Sequence, residues 1–380
     1  KKSLTQEQID TIVKNYEILK AENDKPQPIE CLPSIKKADI DVQGKFEELT
    51  SFDDNVALMV LPMNHMTAIY LKFKINFTHE LMDYLTILAL VIKSVGAGSK
   101  DEEQFDIYEN LYCTGFKISI GQYPNLSDPN DCALSITFKT ECLDKDVTEV
   151  FNILKMIIFE PHLDNVQRIQ TLVTRRLASL GSMCQSRGDV LLSQVVPASF
   201  NNEAAIKNVL TGDYQIHFLN KLIAENNWQD VSDKIQIVYR EVFLKSFVQG
   251  FIHTTNGDNP SIQEMKQLVA KLNDHEQVPT FGTPPYTKDL FANRENVFID
   301  TETSTNFSCI FTQAPSYADP NSARYYVLEE IMGSEYLHQL VRVKLGAYGS
   351  FVVADNTSGL FCMRSYRDPN PVACLEAFQT

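Results

Sequence analysis

Two hydrophobic periods alternate along the chain: apolar residues three and four apart predict helices, and strict alternation predicts strands. Ile9, Ile12, Val13, Tyr16 and Leu19 make one stripe of a helix running to about Glu22, and Ser3-Leu4-Thr5-Gln6 ahead of it has capping-box spacing. Prolines within 23–33 stop it. From Val56 the pattern alternates, so 56–60 and 69–73 predict two strands joined by a polar turn at Asn64-His65. Thr78 is the expected N-cap of a helix that buries Leu81, Leu85, Leu88 and Ile92, and residues 96–99 break it. A second helix carrying Phe105, Tyr108 and Leu111 leads to Gly115 and then to strands over 116–123 and 133–138. Helices follow at about 145–159, 164–186 and 203–224, with another ending near Phe247; a strand over 248–253 and a helix opening at Pro260 come next.

Residues 275–285 combine Pro279, Pro284, Pro285 and Gly282 with no period, and read as a linker. Past it the order repeats. Strands at 296–300 and 307–312 precede Asp319-Pro320, a cap followed by proline at the first helical position. Then come a helix, a break at Gly333, a helix, a glycine turn and two strands. The fold class expected is α+β, two domains of one plan, each an antiparallel-containing sheet with helices on one face. The boundaries are 1–43 for a helical linker, 44–274 for the first domain, 275–295 for the interdomain linker and 296–380 for the second domain. A chain of 380 residues suits two cores. The second copy stops at 371–380, in what should be the start of a helix, whereas the first continues for on the order of 100 residues. With Lys1 in place of methionine, the chain is expected to be a piece of a longer one.

Composition narrows the partners. With 34 Lys and Arg against 49 Asp and Glu, the net charge of −15 disfavours nucleic acid and anionic membrane. The eight cysteines form no C-x-x-C pair and read as buried free thiols, which implies a reducing compartment, either cytosol or an organelle such as the mitochondrion. The longest apolar run, 85–92, is far short of the ~18 residues a membrane span needs. No H-x-x-E-H, G-x-S-x-G, P-loop or dinucleotide fingerprint occurs, and the histidines at 65, 79, 162, 217, 253, 275 and 338 lack metal-ligand spacing.

The most informative stretch is 334–351. Leu337, Leu340 and Val341 have helical spacing, Arg342 and Lys344 suit the negative end of the helix dipole, and Gly346 ends the helix. Tyr348 and Gly349 then lead into the strand-like run SFVVA. Read from spacing, Arg342 and Tyr348 share a corner, either as substrate-binding groups or as a cationic helix end with an anchoring tyrosine. In the first copy Tyr108 and Thr114 are expected to occupy their places, so only the second copy carries the pair.

Residues 321–350 resemble the C-terminal half of pitrilysin-type zinc peptidases, the presequence protease and falcilysin branch, which carries a run reading roughly R-x-K-G-G-A-Y-G. Here Arg342, Lys344, Gly346, Ala347, Tyr348 and Gly349 match it, and Leu345 replaces the first glycine of the pair. Cys31-Leu32-Pro33-Ser34-Ile35 and Asp39-Ile40 resemble the exit from that branch's interhalf helical hairpin. The resemblance implies a substrate-chamber half of a zinc metalloendopeptidase that degrades unfolded peptides. Arg342 and Tyr348 would bind the peptide, and the zinc would be held by an N-terminal half of the same protein. No catalytic residue and no metal ligand is then expected in this segment, which would be inactive alone. The alternative is a non-catalytic interaction subunit of the same fold, like processing-peptidase core proteins, told apart by whether the N-terminal half carries H-x-x-E-H.

Overall fold

The computed structural model describes residues 5–25, 33–40, 43, 48–53, 55–75, 81–273, 286–292 and 305–380. Ser3 of the expected capping box, Thr78, the 275–285 linker and the predicted strand at 296–300 lie outside them. The chain forms two compact units, Lys1–Glu48 and Leu49–Thr380. In the first, helix α1 (Gln6–Asn23) begins at Thr5, not Ser3: the Thr5 hydroxyl accepts from the Gln8 N–H and Gln8 answers to the Thr5 N–H, satisfying two end donors reciprocally.

In the second unit the order is β1 (Ser51–Asp53), β2 (Val56–Val60), β3 (Met66–Ile75), α2 (Met82–Val91), α3 (Glu102–Tyr112), β4 (Lys117–Asn125) and β5 (Asp128–Leu143). Six helices follow: α4 (Val147–Phe159), α5 (Val166–Ser186), α6 (Gly188–Val195), α7 (Asn202–Thr211), α8 (Asp213–Glu225) and α9 (Trp228–Val242). Next come β6 (Val248–Thr254), α10 (Ser261–Ala270), β7 (Cys309–Gln313), α11 (Ser322–Ile331), a π-wound segment (Met332–Lys344), β8 (Gly349–Asp355), β9 (Leu360–Tyr366) and α12 (Pro371–Gln379). Three elements depart from expectation. Gly212, with extended backbone, divides the predicted 203–224 helix into α7 and α8. The short β1 and α6 lie below the length that periodicity resolves.

A six-stranded sheet runs β1-β2-β6-β3-β5-β4, parallel only between β2 and β6. The turn at Asn64-His65, both at positive φ, does link β2 to β3, but β6 sits between them. Along β3, Thr67, Ile69, Leu71, Phe73 and Ile75 are buried, while Tyr70, Lys72 and Lys74 alternate to the other face. The helices cover the first face: Leu85, Leu88, Phe151, Leu154, Ile235 and Met265 share one core with Leu71, Phe73, Ile136 and Phe138. On the opposite face Lys72 lies 3.6 Å above the Tyr123 ring and Lys139 5.2 Å above Tyr70.

A second sheet runs β7-β9-β8, all antiparallel. That is the order and sense of β3-β5-β4, and in both places two helical segments precede the last two strands, so the repeat expected from element order is present in topology. Its core sets Leu337, Val341 and Phe378 against Val352, Ala354, Phe361 and Met363. The helical run does not break at Gly333. It passes from α to π winding at Met332. A Cβ at Gly333 would meet only Val352, at 4.0 Å, so nothing steric marks a stop there.

Candidate functional site

The π-wound segment sets up the site. Its wide turns bury Leu337 and Val341, one turn apart, and close with the Leu345 N–H donating to the Leu340 carbonyl at 3.0 Å. Gly346 then takes φ +83°, the left-handed geometry a Cβ would disfavour. Leu345 itself is helical at φ −88° and packs against the second core, so the leucine stands where no left-handed residue is required. Three hydrogen bonds fix the turn: Ala347 N–H to Val341 C=O at 3.1 Å, Tyr348 N–H to Arg367 C=O at 3.3 Å, and Asn370 Nδ2 to Leu345 C=O at 2.8 Å.

Arg342 and Tyr348 are both exposed and line one groove of about 720 Å³, so the structure brings the two predicted residues together. Tyr348 is 69% exposed, which argues against an anchoring role, since an anchor is held by burial. Its ring meets Tyr366 edge-on at 5.9 Å. Tyr366 is in turn fixed by its hydroxyl, which donates to Ser186 C=O at 3.3 Å, and by the Arg187 guanidinium 5.7 Å from its ring.

Sequence reasoning missed Arg187, Tyr366, Phe351 and His338, which line the same groove. Arg187 comes from the end of α5, more than 150 positions before Tyr348, so no local spacing could join them. Asp189 anchors it. That fully buried carboxylate accepts from Arg187 Nε at 3.0 Å and Nη2 at 3.1 Å, and Arg364 of β9 stands 3.8 Å away. The bond to Asp189 raises the pKa of Arg187 further, so its charge is permanent. The groove can therefore offer guanidinium and phenol donors over aromatic walls.

The first copy is different at the equivalent place. Gly115 also has positive φ (+86°) and also lies between helix and strand. Counting from the two glycines, Arg342 corresponds to Leu111 and Tyr348 to Lys117, rather than to Tyr108 and Thr114 as element order suggested. Tyr108 instead donates its hydroxyl to Glu149 at 2.5 Å.

Among the described residues no three His, Cys, Asp or Glu side chains are grouped to hold a metal. Seven of the cysteines are described and all are free; burial pushes Cys132, Cys142 and Cys362 up to about 12. No described helix is long and apolar enough to cross a membrane.

Two family descriptions match the chain: the region associated with subfamily C of the M16 peptidases, over residues 1–222, and the "PreP C-terminal domain", over 298–380. The mitochondrial presequence protease of Drosophila melanogaster is 24% identical over 361 residues, 92% of this chain and 34% of that protein. That of Eremothecium gossypii is 23% identical, over 99% of this chain and 39% of its own length. The chain thus spans little more than a third of these relatives. Among solved structures, a peptidase M16 inactive domain from Pseudomonas fluorescens superposes with a TM-score of 0.56 at 14% identity, covering 87% of this chain and 77% of that one, which shows a common fold.

Proposed function

The chain belongs to the family associated with subfamily C of the M16 peptidases, and from that premise we propose that it is the substrate-chamber half of a metallopeptidase that degrades unfolded peptides. The observation that carries this reading is the shared groove: Arg342 and Tyr348 are exposed on one groove with aromatic walls, and among the described residues neither the guanidinium nor the phenol hydroxyl has a hydrogen-bond partner. Arg342 and Tyr348 bind the backbone of an extended peptide near the bond to be cut. When any nucleophile attacks a peptide carbonyl, its oxygen gains negative charge. A preplaced phenol and guanidinium then stabilise that charge more than they stabilise the ground state.

The zinc that the family resemblance implies is assigned to an N-terminal half of the same protein, which is supported by the lack of H-x-x-E-H in this sequence. The isolated chain therefore binds peptide and cleaves none. The polar face of the six-stranded sheet, with Tyr70, Lys72, Tyr123 and Lys139, lines the chamber opposite the helices. The mitochondrial relatives favour the mitochondrion, and the free thiols among the described cysteines are as compatible with that reducing compartment as with the cytosol. The matching orders β3-β5-β4 and β7-β9-β8 support two domains, 44–274 and 296–380, about a linker at 275–295.

The test uses the protein that carries both halves. Tyr348→Phe keeps the ring and removes the hydroxyl; Arg342→Lys keeps the charge and removes the planar fork. Each should lower turnover of an unfolded peptide by about 100- to 1,000-fold, with the melting temperature unchanged. Parent turnover in both variants would make the pair structural and end this reading.

A further inference from the structure

Away from that groove, a cleft of about 610 Å³ opens among α2, β4, α5, α6, α7 and α8, a volume in the range of small-ligand sites. Its walls are apolar, with Ile87, Leu90, Ile118, Ile120, Leu210 and Leu219. Two half-buried cations, Arg176 and Lys207, face it, and among the described residues neither side chain has a hydrogen bond or an ion pair. Of the two, Arg176 has burial alone acting on its charge, whereas Lys207 also feels the carboxyl of Glu203. A third cation in the cleft, Lys93, is already paired with Glu109 at 3.2 Å. Glu203, one turn before Lys207, has its pKa raised by burial, and the Lys207 charge opposes that rise. Burial alone lowers the pKa of Arg176, so its charge is held at a cost that an anion would relieve.

A second kind of group is unsatisfied there. Gln194 lines the cleft, and among the described residues its buried Oε1 has no hydrogen-bond partner. An acceptor in that state calls for a donor, which an amide N–H supplies and an alkyl chain does not. Ile118, Ser119 and Ile120, consecutive on the edge strand β4, also border the cleft. A ligand with a carboxylate, an amide and apolar side chains meets all of these features at once.

We propose that this cleft binds the C-terminal carboxylate of a peptide whose last residues are apolar, with Arg176 and Lys207 as its cationic partners. The choice of a peptide rests on the function proposed above, and the site is separate from the groove of Arg342 and Tyr348.

Calorimetric titration of the chain with a short peptide ending in two leucines tests this, run as the free acid, as the C-terminal amide, and beside octanoate. The acid should bind, the amide should bind at least about 10-fold more weakly, and Arg176→Gln and Lys207→Gln should each weaken the acid by about 10-fold. Neither variant should lower the melting temperature, because among the described residues neither side chain makes a hydrogen bond or an ion pair. Arg342→Lys and Tyr348→Phe should leave the difference between acid and amide intact, so the failure of one site is read apart from the failure of the other. Equal binding of acid and amide, parent affinity in both charge variants, or binding of octanoate without binding of the peptide acid would each overturn the assignment.

Discussion

The two copies of the strand–helix–helix–strand–strand unit have one topology and opposite local solutions at the same turn. In the first, Glu109 of α3 is 4% exposed, accepts the Phe116 N–H, and pairs with Lys93 at 3.2 Å, so a buried carboxylate closes the turn around Gly115. In the second, Leu340 stands at the position of Glu109, counted from the glycine. Backbone and Asn370 bonds hold the turn, and Arg342 and Tyr348 are left to the groove. The topology follows from the apolar pattern, which both copies share; what the turn can do follows from the polar residues beside the glycine, which they do not.

The comparison breaks most visibly at Glu109. Glu109→Ala removes the acceptor of a buried N–H and strands the Lys93 charge, and should cost about 3 kcal/mol by denaturant unfolding. Arg342→Ala, at the open turn, should cost about 0.3 to 1 kcal/mol at most. Equal losses would mean that the two turns are built alike after all.

The glycines sharpen the shared part. A Cβ at Gly115 or Gly346 would meet neighbours only at ordinary contact, 3.9 Å from Glu109 and 3.6 Å from Pro369, so the cost of alanine is the left-handed backbone alone. Gly115→Ala and Gly346→Ala should each lose about 1 to 2 kcal/mol, and only the second should also weaken peptide binding to the chain. Matching binding losses in both would place the peptide elsewhere.

How much of this was legible beforehand depends on distance along the chain. Leu85, Leu88 and Ile92 announce their helix because its buried face is a local period, and all three are buried. The pairing of β2 with β6 joins residues nearly 200 apart and leaves no such trace. Gly333 was misleading because glycine weakens a helix without forbidding it. At the groove, the shared corner of Arg342 and Tyr348 was visible through the Gly346 turn and a binding role for them only through the family resemblance, whereas Arg187 reaches the groove through the fold and its bond to Asp189.

A pH-dependent effect of similar small size concerns the thiols buried in both copies. Cys132 and Cys362 are raised from 9.0 to about 12 by burial, so the folded chain keeps protons that the unfolded chain loses. Their contribution is fully present below pH 9.0 and is lost as pH rises from there toward about 12. Cys132→Ala and Cys362→Ala should each flatten the fall in unfolding free energy between about pH 8 and about pH 10 by roughly 1 kcal/mol. A variant with the parent's slope would show that its thiol is not protected.

The central claim, that peptide binding distinguishes the second turn from the first, is tested most directly by photocross-linking. A photoreactive benzoylphenylalanine is placed at position 348 in one preparation of the chain and at position 117, its counterpart, in another; each is irradiated with an unfolded peptide and the adducts are mapped by mass spectrometry. The account predicts peptide adducts from position 348 that excess unlabelled peptide competes away, and none from position 117. Equal adducts from both positions, or adducts from 117 alone, would contradict it.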